Sequence, residues 1–433
     1  MDMKFCIWGC GIRGKNVFRF MDKADVCAFI DSSPALQGTE YEGVPIISFE
    51  RYLQERRDCV VIVTPHYEHY EILARLEREG VEALSALLLP PEIFEMPVPE
   101  LFEVIEKKTE AGGTLFLYGL NLYSLMLLAR FHPKRPVRVI PEEGAAEWLL
   151  RRAEDCFPGC LGTLDEVGGS VLYLTSNEYE NRRVPVENKA GLYDFLFDIE
   201  AYYNPRIAKF KGIHAGKRCF IIATGPSLRI EDLDRLRERG EICIGMNGIF
   251  KAYPLTLWRP EYFVLEDRDL FEEWKEVLLN EEVAEHIFVS DSCLRGRSYQ
   301  KFTKFHLSYL QVQPHCRPPF SGDFAHGAYE SGTVTYDCLQ LAVYMGCSEI
   351  YLYGLDFSYG KHFTDHYCAL EKRLPESAYQ DARIRAGLGY ESAKQAAEKA
   401  GVKIYNASRK TELSVFDRVD FDEVLGGRTE RYE

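Results

Sequence analysis

Residues 217–236, KRCFIIATGPSLRIEDLDRL, place a Thr224-Gly225-Pro226-Ser227 turn between a short apolar run and an acidic, helix-like segment. Gly225 lets backbone approach a ligand closely, and Pro226 fixes the turn. Free amides at the following helix start, with the Ser227 hydroxyl, can donate to a phosphate. Against this, Glu231 and Asp232 fall in the first helical turn and already meet its positive end. A purely structural turn capped by Ser227 is the alternative. Asn247, Glu266-Asp267, Ser290-Asp291 and Asp356 close later apolar runs. Ligands of open parallel sheets bind beyond the carboxyl ends of the strands, so this convergence predicts a site along that edge.

Deprotonating an acceptor hydroxyl needs a base. His362 and His366, in SYGKHFTDHY just past Asp356, are the candidates, with His362 preferred over the alternative of packed or solvated rings. Asp267-Arg268-Asp269 has the D-x-D spacing that can hold a magnesium ion on a diphosphate. The same acids suit a helix start, which is the better reading of Asp269, whereas Asp267 sits at the strand end itself. Gly9-x-Gly11-x-x-Gly14, with Asp31 closing the next apolar run, matches a dinucleotide fingerprint for NAD or a similar cofactor. Arg13 and Lys15 flank the pyrophosphate position, and a retained structural or regulatory domain is the alternative. His66 and His69 lack a companion ligand and read as capping or solvated. Cys6/Cys10 and Cys156/Cys160 share a C-x3-C spacing with no second pair to complete a zinc site.

The elements that must position these residues alternate between apolar runs and helical patterns, which indicates α/β architecture with parallel sheets covered on both faces. KFCIWG, VCAFI and VVIVTP recur as TLFLYG, PVRVI and VLYLTS at offsets of 110, 110 and 111 residues. That stepping suggests a degenerate duplication in the N-terminal lobe. The expected layout is a GxGxxG unit over 1–110, a second, degenerate unit over 111–188, a helical connector over 189–215 and a catalytic domain over 216–433. The overall expectation is two Rossmann-like, doubly wound lobes. In the last domain, helices are expected over 330–345 and 390–400, and a polar, aromatic-bearing lid over 291–328.

Composition bounds the function. The 433 residues carry 67 acids against 52 bases, a formal charge of -15, which argues against a nucleic-acid partner. Thirteen cysteines, many inside apolar runs, suggest a reducing compartment, and no signal peptide or membrane span is read, so a cytoplasmic location is expected. Oligomeric state is not legible.

CFIIATGPSL, IGMNGIF, YESGTVTYDCLQLAVYMGCSEIYLYGLDFSY and KIYNAS, over about 216–415, resemble the 6-hydroxymethylpterin diphosphokinase MptE-like family. That family in turn resembles bacterial CMP-sialic-acid sialyltransferases and the motility accessory factors that glycosylate flagellin. The sialyltransferase resemblance implies a nucleotide held by Gly225, Pro226, Ser227, Asn247, Ser331-Gly332 and Asp356. Thr224 stands where that family has asparagine. Tyr359, one residue later than the family tyrosine, would meet the leaving phosphate, with Arg295 or Arg297 of the lid as alternatives. The expected function is glycosyl transfer from a nucleotide-sugar, CMP-sugar favoured, to a glycan or protein acceptor in surface glycan or flagellin modification. Pyrophosphoryl transfer from ATP to a hydroxymethylpterin, with Asp267 and Asp356 on magnesium, is the alternative. A non-catalytic nucleotide-binding protein is the second alternative.

Overall fold

The computed structural model describes residues 3–65, 68–86, 106–107, 109, 113–175, 184–190, 202–294, 296–308, 317–358 and 376–426. The chain divides into two compact units, Met1–Asp198 with Leu310–Arg317, and Ile199–Tyr309 with Pro318–Glu433.

In the first unit, β1 (Phe5–Trp8), β2 (Val26–Ile30), β3 (Glu40–Tyr41), β4 (Val44–Ile47), β5 (Val60–Val63) and β6 (Ala83–Ser85) form one sheet, ordered β3-β4-β2-β1-β5-β6. All its pairings are parallel except β3 with β4. The four-residue runs of β1 and β5 are buried throughout, as strands covered on both faces must be. Helix α1 (Ile12–Arg19) follows β1, and α2 (Phe49–Glu55) and α3 (His69–Arg78) flank β5. A second sheet holds β7 (Leu115–Tyr118), β8 (Val137–Ile140), β9 (Leu172–Leu174) and β10 (Lys189–Ala190), ordered β10-β9-β7-β8, with α4 (Leu122–Phe131) and α5 (Glu147–Cys156). Lys189–Ala190, expected to open a helical connector, instead pair with β9, and Pro205–Ala208 supply one helical turn.

The two sheets share details of geometry. Trp8 aligns with Ile30 and Val63 as Tyr118 does with Ile140 and Leu174. Gly9 and Gly119 both have φ +97°. Thr64 Oγ1 donates to Trp8 O at 2.7 Å, and Thr175 Oγ1 to Tyr118 O at 2.7 Å.

The second unit is built on β11 (Arg218–Ile222), β12 (Ile242–Met246), β13 (Tyr262–Leu265), β14 (His286–Ser290), β15 (Phe302–Phe305), β18 (Glu349–Tyr353), β19 (Lys403–Asn406) and β20 (Asp417–Arg418). They form one all-parallel sheet, ordered β15-β14-β13-β12-β11-β18-β19-β20. Between β14 and β18 the chain also forms β16 (Leu307–Ser308) and β17 (Ala328–Tyr329), which pair with each other. Successive side chains go to opposite faces. Ile221, Ile244, Val264 and Leu352 pack under α8 (Val334–Tyr344) and α9 (Glu376–Lys399). Phe220, Ile222, Phe263 and Tyr353 pack against α6 (Ile230–Arg239) and α7 (Arg268–Asn280).

Two expectations change here. Phe302–Phe305, assigned to a lid, is the edge strand of the sheet, because Phe302 and Phe305 alternate into its cores while Lys304 points outward. The helix expected over 390–400 starts at Glu376. Among the described residues no helix is long and apolar enough to cross a membrane.

Candidate functional site

From β11 the chain winds outward to β15 and then returns to β18 on the other side of β11. The reversal leaves a crevice between the carboxyl ends of β11 and β18, where Thr224-Gly225 and Gly354-Leu355-Asp356 meet. A cleft of about 110 Å³ opens there, lined by Thr224, Gly225, Asn247, Thr333, Thr335 and Asp356 among others. A second cavity of about 400 Å³ adjoins it, sharing Asp356 and Ser358, and is lined by Pro226, Ser227, Arg229, Arg409, Lys410, Thr411 and Glu412.

The glycine turn is explained first by packing. A side chain on Gly225 would meet Gly354 O at 2.5 Å and the Asp356 carboxyl at 2.9 Å. The Ser227 amide donates to Asp356 Oδ2 at 2.8 Å and its hydroxyl donates to Asp356 Oδ1. These two donors, expected to meet a phosphate, are thus held by a residue 129 positions away. Helix α6 starts only at Ile230, three residues beyond Ser227.

Asn247 lines the cleft at the end of β12 with φ +48°, a left-handed conformation uncommon outside glycine. Its Oδ1 is buried and accepts no hydrogen bond among the described residues. Phe357, also at the cleft, has φ +56°. Backbone strain of this kind concentrates at functional sites. Ser331 faces elsewhere: it is fully buried, and its Oγ donates to Arg385 O at 2.8 Å. Gly332 (φ +71°) packs on Arg385. The wall expected from Ser331-Gly332 is built by Thr333–Thr335, at the start of α8.

The D-x-D pair does not converge. Asp267 caps α7, accepting from Leu270 N at 2.9 Å, and Asp269 is exposed beside Arg268. Among the described residues no group of three His, Cys, Asp or Glu could hold a metal ion. These residues do not fit a resident magnesium ion. Arg297 is tied to Glu272 and to Leu294 O. His362, His366, Tyr359, Arg295 and His66 lie outside the described residues. His69 is a packed residue, with Nδ1 2.9 Å from Pro65 O and Nε2 2.9 Å from Ser85 Oγ.

Two polar groups beside this edge escaped the sequence reading. His306 follows β15, and its Nδ1 lies 2.6 Å from Asp291 Oδ2, the geometry in which Nδ1–H donates to the carboxylate. Asp291 Oδ1 accepts from Leu307 N, and Tyr202 stacks on the imidazole at 3.6 Å. The His306 Nε2 is buried without a partner among the described residues. The signal available was Asp291 at a strand end, but the partner histidine stood in a stretch read as lid. The second is the pairing of Glu266, already noted at a strand end, with Asp337: Asp337 is fully buried, and Glu266 is partly buried with its Oε2 enclosed. Burial, then the charge of Glu330, pushes Glu266 up to about 8, and burial with Glu266 beside it pushes Asp337 up as well. Glu330 itself is paired with Arg385 at 3.1 Å.

In the first unit, Gly9 takes a positive φ, and a side chain on Gly14 would collide with Gly9 O, while Gly11 faces open space. Asp31 Oδ2 accepts from Cys10 N at 2.8 Å and its Oδ1 from Ser33 N at 2.9 Å. Both oxygens of the expected ribose-binding acid therefore brace the turn. Leu120 N likewise donates to Glu142 Oε2 at 2.7 Å.

A parallel, doubly wound unit with a crevice at its switch point is an architecture built for nucleotides and similar ligands, though the fold alone does not name the reaction. Residues 194–362 match the family described as 6-hydroxymethylpterin diphosphokinase MptE-like, and residues 1–84 match the family described as C2185-like, N-terminal. No curated protein matches the chain. Among solved structures it is similar to the MAf glycosyltransferase from Magnetospirillum magneticum AMB-1, at 11% identity and a TM-score of 0.34. That similarity covers 74% of this chain and 61% of the glycosyltransferase.

Proposed function

We propose that the second unit is a nucleotide-dependent transferase working at the crevice between β11 and β18. The observation that carries this reading is the cleft itself: it opens at the switch point, and Asn247 at its wall has a buried acceptor without a donor. A nucleotide hydroxyl or amine closing on that oxygen satisfies it. The match over 194–362 favours pyrophosphoryl transfer from ATP to the hydroxyl of a pterin-like acceptor. Magnesium would arrive with ATP as part of the substrate. Glycosyl transfer from a nucleotide-sugar such as a CMP-sugar is the second reading, favoured by the order of GPSL, Asn247, Ser331-Gly332 and GLD along the chain. The base candidates are His362 and His366; His306, held by Asp291 at the β15 edge of the sheet, lines neither cavity. The matched register of the two sheets in the first unit supports an internal duplication, with Asp31 and Glu142 in structural roles.

The test is a thermal-shift panel of ATP, AMP, CMP, CDP, UDP, GDP and NAD, each with and without magnesium. Stabilisation by ATP with magnesium supports the first reading, and stabilisation by CMP or CDP without metal supports the second. A chain stabilised by none of them is not a nucleotide-dependent transferase at this cleft.

A further inference from the structure

We infer that the cavity beside the nucleotide cleft is a separate polyphosphate subsite, with Arg229 and Lys410 as its ligating cations. This rests on the nucleotide reading of the neighbouring cleft and adds where the phosphates go. The cavity, about 400 Å³, exceeds the cleft it adjoins. Three cations line it, Arg229, Arg409 and Lys410, in a chain whose formal charge is -15. Its two acids are both engaged: Asp356 holds Ser227, and Glu412 pairs with Arg383 at 2.9 Å.

The cations differ in what they can still do. Arg409 is fixed, its guanidinium donating to Asp232 at 2.7 and 2.9 Å and to Asp422 at 3.0 and 3.2 Å. It keeps a positive charge at the wall but has few donors to offer. Arg229 and Lys410 are exposed, and among the described residues neither side chain makes a hydrogen bond or ion pair. Two such cations facing one cavity, with Glu412 paired to Arg383 and the Asp356 carboxylate turned onto Ser227, suit a ligand with at least two adjacent negative charges. A nucleoside triphosphate has this form: its sugar end lies in the first cleft, and its phosphates pass Asp356 into the second.

The experiment compares wild type with the double variant Arg229→Ala, Lys410→Ala at low ionic strength. Titration calorimetry measures ATP, AMP and inorganic tripolyphosphate. Both side chains are exposed, so the unliganded variant should melt within about 1 °C of wild type. ATP and tripolyphosphate should weaken about fivefold or more while AMP is unchanged, and Arg229→Lys, Lys410→Arg should restore both. Equal losses for ATP and AMP, or no loss for either, overturn the subsite. If wild type binds tripolyphosphate but no nucleotide and the double variant binds neither, the subsite stands and the nucleotide reading falls. If wild type binds no tripolyphosphate, the subsite is overturned whatever the nucleotides do.

Discussion

Asn247→Gly separates a ligand-binding amide from a structural one. Asn247 has φ +48°, and its Oδ1 is buried without a donor. A left-handed conformation costs a non-glycine residue about 1 kcal/mol, and an unmatched buried carbonyl costs about 1–3 kcal/mol. Glycine removes both, at about 0.5–1 kcal/mol of added chain entropy in the unfolded state. The unliganded variant should gain about 1–2 kcal/mol, raising Tm by about 2–8 °C for a unit of this size. Binding should move the other way. One hydrogen bond lost is about 1–1.5 kcal/mol, so the nucleotide Kd should rise about tenfold. Differential scanning fluorimetry gives the first quantity and calorimetry the second. A variant that melts several degrees lower and binds with unchanged affinity would refute the reasoning, because Asn247 would then be a brace.

Four further outcomes are expected. Glu266, pushed up to about 8 by burial and Glu330, keeps a proton in the folded chain that it loses in the unfolded chain near its ordinary 4.5. Stability should therefore fall as pH rises from about 4.5 to 8, with Glu266→Gln lessening the slope of the Tm–pH curve over that range. Gly14→Ala drives a methyl into Gly9 O and should cost about 2–3 kcal/mol by denaturant melt, whereas Gly11→Ala, facing open space, should cost under about 0.5 kcal/mol. Arg409→Ala leaves the enclosed Asp232 with Arg235 and Tyr353 alone, and should cost about 3 kcal/mol, with lysine restoring less than half. Asp356→Asn keeps an acceptor for Ser227 N but removes a charge, so AMP should bind about threefold tighter in calorimetry; total loss of binding would place Asp356 on the ligand.

The strands were legible because each buried run is short, apolar and closed by a polar residue, as in CFIIAT or EIYLYGLD. The parallel sheet and the edge carrying Thr224, Asn247 and Asp356 followed from that pattern. Strand β15 was not legible, since Lys301 and Lys304 interrupt its apolar residues and an edge strand tolerates them. Helix α9 was expected only over 390–400, and Gly387 and Gly389, residues that ordinarily weaken a helix, fall in the part that was missed. Gly389 is there because Ser331 packs against that position, a contact spanning 58 residues that no local pattern encodes. The pairing of Ser227 with Asp356 is hidden for the same reason. Both residues were singled out for chemistry, but only the fold reveals that each takes up the other's hydrogen bonds.

That pairing recurs. In each sheet the turn after the central strand gives a backbone amide to an internal carboxylate: Cys10 N to Asp31, Leu120 N to Glu142, Ser227 N to Asp356. An anion resting on such a turn would have to displace a carboxylate already bonded there, against like-charge repulsion. In the second unit Asp356 lines both cavities, and its carboxylate would keep a phosphate off the glycine turn. Under the proposed polyphosphate subsite, phosphate binding falls to side-chain cations beyond Asp356, and the glycine turn serves to bring β11 and β18 close enough for one carboxylate to bridge them. A turn whose sequence resembles a phosphate loop thus acts as a brace, and the proposed ligand would be recognised by what lies on either side of it.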